Sequence, residues 1–360
     1  MRIAYCVLRP SLLTHRVSPL TTPPMTRLKR LFWNTEDQRL RALWRLLFQT
    51  LLLVVCVFAL GAALALLTLP FGVPAGTFAP SAPPGSGSRV ALGALMLGAV
   101  AASMAGAARF LDHRPFADFG FHLDAHWGAD FAFGLILGTL LMGGIFLSGW
   151  ALGWVEVTGT LQPASDGNAF VPSLAAALLS FICVGVYEEM IARGYHLLNV
   201  AEGFERLLGP RAALAGGCLL SSVGFGALHW GNPNASPLST ACLVLAGLLF
   251  GLAYVVTGEL ALPIGLHISW NFAQGNVFGF PVSGTDAGAS LLSTRAPAGS
   301  PAWWTGGAFG PEAGLSGMLA LLLAAGAVLL WTHRQRGTAR PRLTLARYDA
   351  QQRDVQQRDA

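Results

Sequence analysis

Two adjacent glutamates and an arginine interrupt an apolar stretch of the chain, at Glu188, Glu189 and Arg193. On membrane-insertion scales, one ionised residue at the centre of a membrane helix costs roughly 2.5–3.5 kcal/mol of free energy, so such residues are functional candidates. Glu189 and Arg193 are four residues apart and can pair on one helical face, whereas Glu188 points about 100° away. Glu188 is therefore a candidate general base, and the alternative is a salt-bridge cluster that only orients a helix end.

Two further apolar stretches carry histidines at helical spacing. Phe225 and His229 lie one turn apart, and His267 and Asn271 share a helix face four residues apart. Histidine and asparagine are unfavourable in lipid, so both must face the interior of a helix bundle. If these groups and Glu188 converge in a hydrated cavity, they supply the base and hydrogen-bond donors that hydrolysis of an amide needs.

Other residues give weaker chemical signals. His196, two turns beyond Glu188, is the second candidate for a histidine that assists the base. No serine lies in a Gly-x-Ser-x-Gly elbow, so a serine nucleophile is not indicated. The five cysteines include no C-x-x-C pair, so a thiol zinc site or redox motif is not indicated either.

The composition is that of a membrane protein. Of 360 residues, 53% are hydrophobic and 11% charged, and the mean hydropathy is +0.54, whereas soluble domains carry about 25% charged residues. Because the apolar residues run in stretches of roughly 20, they predict an all-α, polytopic helical bundle and exclude an outer-membrane barrel or a disulfide scaffold.

The apolar windows predict about eight transmembrane helices within a bundle at residues 46–332. A basic cytoplasmic tail with a possible surface helix precedes it at 1–45, and a basic low-complexity tail follows at 333–360. The motif core is expected at about 171–281, and the Gly-, Ser- and Pro-rich loop from Pro281 to Pro311 is expected to be flexible. The windows are 46–69, 90–108, 129–153, 171–195, 212–230, 237–257, 260–281 and 314–332.

The basic residues predict the orientation. With the N-terminus in the cytoplasm, all but two of the 23 Lys and Arg residues fall on the cytoplasmic side, the exceptions being Arg89 and Arg295. Both termini are then cytoplasmic, and the almost lysine-free composition suggests a prokaryotic plasma (inner) membrane. Anionic lipids of the bilayer account for the net charge of +5, so no nucleic-acid partner is indicated.

Three motifs in this order resemble those of the CAAX protease and bacteriocin-processing (CPBP, or Abi) family, which includes the Ras-converting CAAX endopeptidase. The resemblance spans about Tyr187 to Phe272 and consists of EExxxR at Glu188, Glu189 and Arg193, FxxxH at Phe225 and His229, and HxxxN at His267 and Asn271.

The resemblance implies an eight-helix intramembrane endopeptidase that hydrolyses a peptide or a membrane-anchored protein. In it Glu188 activates water with the help of His229. His267 and Asn271 stabilise the oxyanion, while Glu189 and Arg193 hold Glu188 in place.

A divalent metal such as zinc is an open alternative, with Glu188, His229 and His267 as its ligands. The absence of an H-E-x-x-H pair favours a site without a tightly bound metal. Two other functions remain as alternatives. One is a non-catalytic membrane scaffold or bacteriocin-immunity protein on the same fold, and the less favoured one is a proton-coupled transporter.

One feature conflicts with these boundaries. Glu188 falls in the cytoplasmic half of its window, whereas His229 falls near the far end of the next one. The fifth span is therefore expected either to start later and extend beyond Trp230, or to be tilted or broken near Gly216 and Gly217.

Overall fold

The protein is mainly helical, as the composition predicts. The computed structural model describes residues 31–73, 86–164 and 169–348. Its helices are α1 (Ala42–Thr68), α2 (Ser86–Ala107), α3 (Ala125–Ala151), α4 (Phe170–Glu189), α5 (Leu198–Leu228), α6 (Pro237–Thr257), α7 (Ala261–Phe272), the one-turn α8 (Ala302–Thr305) and α9 (Leu315–Arg336). Two antiparallel strand pairs accompany them, β1 (Trp33–Asn34) with β2 (Arg39–Leu40) and β3 (Glu156–Gln162) with β4 (Ser290–Arg295).

Six helical segments of the described residues are long and apolar enough to cross a membrane, which confirms a polytopic helical bundle. The fourth of them contains both the fourth and the fifth predicted window, and α7 has only 12 residues. The count of eight spans therefore stays a prediction. The six segments are Ala42–Phe71, Gly87–Asp112, Ala125–Ala151, Phe170–Gly231, Pro237–Thr257 and Leu315–Arg336.

Helix α7 lies at the centre of the bundle. Every residue from Ala261 to Asn271 is buried, so this short helix is surrounded by protein rather than lipid. Glycines let it approach α3 closely: a methyl group on Gly134 would lie 2.6 Å from the carbonyl oxygen of Leu262, and one on Gly265 would overlap the carbonyl oxygen of Phe131. The polar face of α7 is thereby fixed in the interior.

Helices α4 and α5 belong to one helical run, which reverses direction at Gly209. A π-helical segment, Met190–Leu197, joins them without a loop, and the run is interrupted at Gly209. Gly209 has a φ of 74°, a left-handed conformation that glycine adopts at little cost, and Pro210 starts the second arm. Gly217 packs against the carbonyl oxygen of Leu197, so the two arms lie against each other as a hairpin.

This hairpin resolves the conflict in height between Glu188 and His229. Glu188 lies 21 residues before Gly209 and His229 lies 20 residues after it, so the two are level across the hairpin. The fifth helix neither extends beyond Trp230 nor breaks at residues 216–217, so these two expectations are wrong, while a tilt of the span stays a prediction. The error lay in the end of the fourth window at residue 195, because the helical run that includes Glu188 continues through the π-helical segment to Gly209.

The loop from Pro281 to Pro311 has more structure than expected. Strand β4 within it pairs with β3, and the ring of Trp154 makes edge contacts with Trp303 and Trp304. The prediction of a flexible loop is wrong here because backbone pairing and aromatic packing compensate for its Gly- and Ser-rich composition.

A buried charged network closes the opposite end of the bundle, where α1 begins. Arg45 lies 2.5 Å from Asp112 and 3.0 Å from Glu202, and the ring of Tyr348 stacks 3.4 Å from the guanidinium carbon of Arg39. Residues 39 and 348 thus lie on one side of the bundle, as an even number of membrane crossings would require. Residues 1–30 and 349–360, which include most of the predicted basic N-terminal tail and the Gln-Gln-Arg-Asp repeats, lie outside the described residues.

The close approach of α3 and α7 predicts the effect of adding one methyl group. Gly265→Ala should destabilise the protein by about 1–3 kcal/mol, because the new Cβ would meet backbone that cannot move aside. Thermal unfolding in detergent measures the effect. Gly128→Ala in α3 is the matched control, since nothing lies within 4 Å of its added Cβ. Equal unfolding temperatures for the two variants would contradict the packing described.

Candidate active site

The three motifs meet around one cavity of about 900 Å³ inside the bundle. Glu188 reaches it from the end of α4, His229 from the turn after α5, and His267 and Asn271 from one face of α7. The hairpin of α4 and α5 places Glu188 and His229 at the same level along the bundle. The buried position of α7 places His267 and Asn271 beside the cavity. The predicted convergence of these four residues at one cavity is what the structure shows.

Glu189 and Arg193 form a fully buried ion pair beside this cavity. A guanidinium nitrogen of Arg193 donates to Oε1 of Glu189 at 2.9 Å, and its other terminal nitrogen donates to the carbonyl oxygen of Gly247 at 3.1 Å. The same Oε1 lies 2.9 Å from Nδ1 of His267. Since a carboxylate accepts, Nδ1 of His267 carries a proton, and its Nε2 faces the cavity.

Glu188 lies between the two imidazole rings. Its Oε2 is 4.0 Å from Nε2 of His229 and 3.8 Å from Nε2 of His267. These separations are too long for direct hydrogen bonds but suit bridging by a water molecule. Oε2 is buried and makes no hydrogen bond with the described residues, although the side chain as a whole is 20% exposed. Glu188 therefore lines the cavity and has one carboxylate oxygen without a hydrogen-bond partner among the described residues.

The tautomer of His229 follows from its backbone contact. Its Nδ1 lies 2.7 Å from the carbonyl oxygen of Phe225. Because a carbonyl only accepts, Nδ1 of the neutral ring carries the proton, and Nε2 presents a lone pair toward Glu188. The histidine of the second motif can therefore accept a hydrogen bond from a water molecule held between the two side chains.

Aromatic rings give the two histidines their orientation. The ring of His267 stacks on Phe250 with centroids 5.0 Å apart and an interplanar angle of 13°. The ring of Phe225 lies 4.7 Å from that of His229 and 6.1 Å from that of His267. The guanidinium carbon of Arg193 lies 4.6 Å from the Phe225 centroid, within cation–π range. The phenylalanine of the second motif thus supports both imidazoles and the arginine.

His196 does not replace His229 as the partner of the base. It lines the same cavity from the π-helical segment, but within the described chain the histidines that approach Glu188 to 4.0 Å or less are His229 and His267. His196 is a wall residue of the site.

Glu312 is a further cavity residue that the sequence analysis did not find. It lies in a 3₁₀ turn, Pro311–Ala313, is only 7% exposed, and accepts a hydrogen bond from the backbone N–H of Ser283. Burial raises the pKa of the Glu312 carboxyl, while the Ser283 hydrogen bonds oppose that rise. The available signal was its isolation, since it is the one acidic residue in the sequence from residue 287 to 348.

The three residues that could act as zinc ligands lie farther apart than the ligand atoms of a zinc site. Bonds of 2.0–2.1 Å at tetrahedral angles place ligand atoms roughly 3.3 Å apart, whereas Glu188 lies 3.8 and 4.0 Å from the two Nε2 atoms. In the described part of the chain no group of three or more His, Cys, Asp or Glu side chains is arranged to hold a metal. As placed, these residues do not fit a zinc site.

A protein-family model matches the part of the chain that carries the three motifs. Residues 170–273 match the model of the family described as type II CAAX prenyl endopeptidase Rce1-like. This segment includes all three motifs and the helices that carry them, from α4 to α7. Searches of curated proteins and of solved structures gave no match. The chain thus contains a segment, residues 170–273, that matches a type II CAAX prenyl endopeptidase Rce1-like domain, in agreement with the resemblance of its three motifs to the CAAX protease (CPBP) family.

Proposed function

We propose that the protein is an intramembrane endopeptidase in which Glu188 and His229 activate water. The family match implies protease activity in the membrane in general. The observation that carries the specific proposal is the place of Glu188, whose free carboxylate oxygen lies 3.8–4.0 Å from two imidazole nitrogens at a cavity wall. A water molecule in this gap contacts both a base and a hydrogen-bond acceptor.

In the first step, Glu188 takes a proton from water while the water oxygen forms a bond to the carbonyl carbon of the substrate peptide. Nε2 of His229 accepts the hydrogen bond of the remaining O–H and orients the attack. The carbonyl oxygen becomes an oxyanion. Glu188 then gives its proton to the leaving amide nitrogen as the C–N bond breaks, so the carboxylate is restored.

Stabilisation of the oxyanion falls to His267 and Asn271. His267 donates through Nε2 when its ring carries both protons, and the Glu189 carboxylate on Nδ1 favours that form. Asn271 lies one turn further along α7 on the same cavity wall, where its amide N–H₂ is a second donor. Arg193 neutralises Glu189 and so keeps the buried charge of the pair balanced.

The cavity suits a substrate that enters from the bilayer. Its lining combines apolar side chains of α1, α2 and α4, such as Leu53, Met96 and Phe181, with the polar groups of the motifs. We propose a peptide or membrane-anchored protein as substrate, in a prokaryotic plasma membrane with both termini cytoplasmic. The contact between residues 39 and 348 supports placing both ends on one side.

Replacement of the catalytic side chains should abolish hydrolysis without unfolding the protein. We expect Glu188→Gln to lower kcat about 10³-fold, and His229→Ala and His267→Ala about 10²-fold each, as for other general bases and oxyanion donors. Cleavage of a library of membrane peptides by purified protein, analysed by mass spectrometry, measures this. Glu205→Gln and His333→Ala, which lie outside the cavity, are the controls.

The same assay separates the alternatives. A wild-type protein that cleaves nothing but moves protons or solutes across liposomes would indicate a transporter. One that cleaves nothing and moves nothing, yet binds a membrane partner equally well with Glu188→Gln, would indicate a scaffold or immunity protein. Either result would contradict the proposed function.

Glu189 is expected to act as a positioning residue through His267. Glu189→Gln keeps the size of the side chain but removes the charge that orients the imidazole, so kcat should fall about 10²-fold with little change in KM. Steady-state kinetics on one cleaved peptide test this, with unfolding temperature as the check on the fold. A rise in KM at constant kcat would show that Glu189 contributes to substrate binding instead.

The orientation can be measured with cysteine labelling on intact cells. In a variant whose native cysteines are replaced, Ala298→Cys lies in the far-side loop and Thr338→Cys follows α9, and both positions are exposed. A membrane-impermeant maleimide should label Ala298→Cys directly and Thr338→Cys only after permeabilisation. The reverse pattern would place both termini outside the cytoplasm.

A further inference from the structure

Glu312 is the second carboxylate, after Glu188, in the described lining of the active-site cavity, and it lies outside the matched domain. Its turn comes just before α9, and its side chain is more than nine-tenths buried while lining the cavity that holds Glu188. His229 and His267 line the same cavity as Glu312. Glu312 therefore faces the reaction centre from the loop side.

The Glu312 carboxylate has no lysine or arginine partner among the described residues that line the cavity. Arg193, the buried cation of the first motif, donates hydrogen bonds to Glu189 and to the carbonyl oxygen of Gly247. The hydrogen bond from Ser283 satisfies one oxygen of Glu312 but adds no positive charge. A buried carboxylate in this state is strongly stabilised by any cation that enters.

The contacts of this carboxylate place it on the loop side of the cavity. Ser283 donates to Glu312 and accepts from Asn232, whereas the walls formed by α1, α2 and α4 are mainly apolar. A substrate bound along the cavity would thus meet a negative charge near the reaction centre and an apolar surface elsewhere. Since an extended residue spans about 3.3 Å, the side chain that Glu312 meets belongs to a residue close to the scissile bond.

We propose that Glu312 selects substrates with a Lys or Arg side chain within about three residues of the scissile peptide bond, by pairing with that cation inside the cavity. This inference rests on the proposed endopeptidase function and adds its specificity. It makes Glu312 a specificity-determining residue rather than part of the water-activating group.

The test uses full-length protein and internally quenched, Leu- and Ala-rich ten-residue peptides in liposomes. One Lys is placed at each position in turn, and a matched set carries Nε-acetyl-lysine, which keeps the length but removes the charge. For the wild type we expect kcat/KM to be about 10- to 100-fold higher with Lys, at a cut site that moves with it. Glu312→Gln should cleave both sets with equal kcat/KM.

Two control variants separate charge pairing from other effects. Glu312→Asp keeps the charge and should keep part of the preference for Lys. Glu156→Gln lies on the same side of the bundle, on β3, and pairs with Arg295 outside the cavity, so it should keep the full preference. If Glu156→Gln loses the preference as Glu312→Gln does, the effect is a general one of surface charge and the proposal fails.

The remaining outcomes are equally decisive. Equal cleavage of Lys and acetyl-lysine peptides by the wild type overturns this proposal alone, and that comparison stands even if Glu312→Gln does not fold. An equal loss of activity of Glu312→Gln on both sets also overturns it, since that is the result of a structural role. A wild type that cleaves no peptide in either set, or in the wider library, overturns the endopeptidase function itself.

Discussion

The buried contact of Glu189 with Arg193 and His267 is the interaction on which the rest of the site depends. Two charges inside a membrane bundle are tolerated only when they are paired and hydrogen-bonded, and Arg193 achieves this by binding Glu189 and the carbonyl oxygen of Gly247 on α6. Glu189 in turn holds His267 on α7. One network thus ties α4, α6 and α7 together and fixes the tautomer of a reacting histidine. It also leaves Glu188, its neighbour in sequence, without a cation and free to act as a base.

The sequence predicted the fold class because hydropathy reports which segments avoid water, and all eight apolar windows fall on helices. It failed at the join between α4 and α5, where the π-helical segment and the late break at Gly209 change the height of every residue that follows. The π-helical segment and the position of the break both depend on how the two arms pack against each other. The hydropathy of a window predicts neither of them. The β3–β4 pair was missed for a similar reason, since its partners are more than a hundred residues apart.

The motif residues were predictable because a membrane makes polar groups unfavourable, so Glu188, His229 and His267 stood out against an apolar background. Their partners could be inferred only in part. Helical spacing gave the pair of Glu189 and Arg193, but no spacing rule links Glu189 to His267, which lies 78 residues away. Glu312 gave a weaker signal: it is the one acidic residue from 287 to 348, but an acid in a loop next to a span is ordinary in sequence. Only the three-dimensional structure shows that this loop residue is buried at the cavity.

The acidic residues differ in their partners, and this difference separates the acids that stabilise the fold from the acids that are candidates for catalysis or substrate binding. At the far end of the bundle Asp112 and Glu202 are enclosed by three arginines, and Asp130 of α3 lies 2.5 Å from Arg336. An acid with a fixed cation stabilises its charged form and neither takes up nor releases protons easily. The cavity acids Glu188 and Glu312 face imidazoles and a backbone N–H instead. Neither has a fixed arginine or lysine partner among the described residues that line the cavity, and we therefore propose the cavity, rather than the arginine network, as the site of the chemistry.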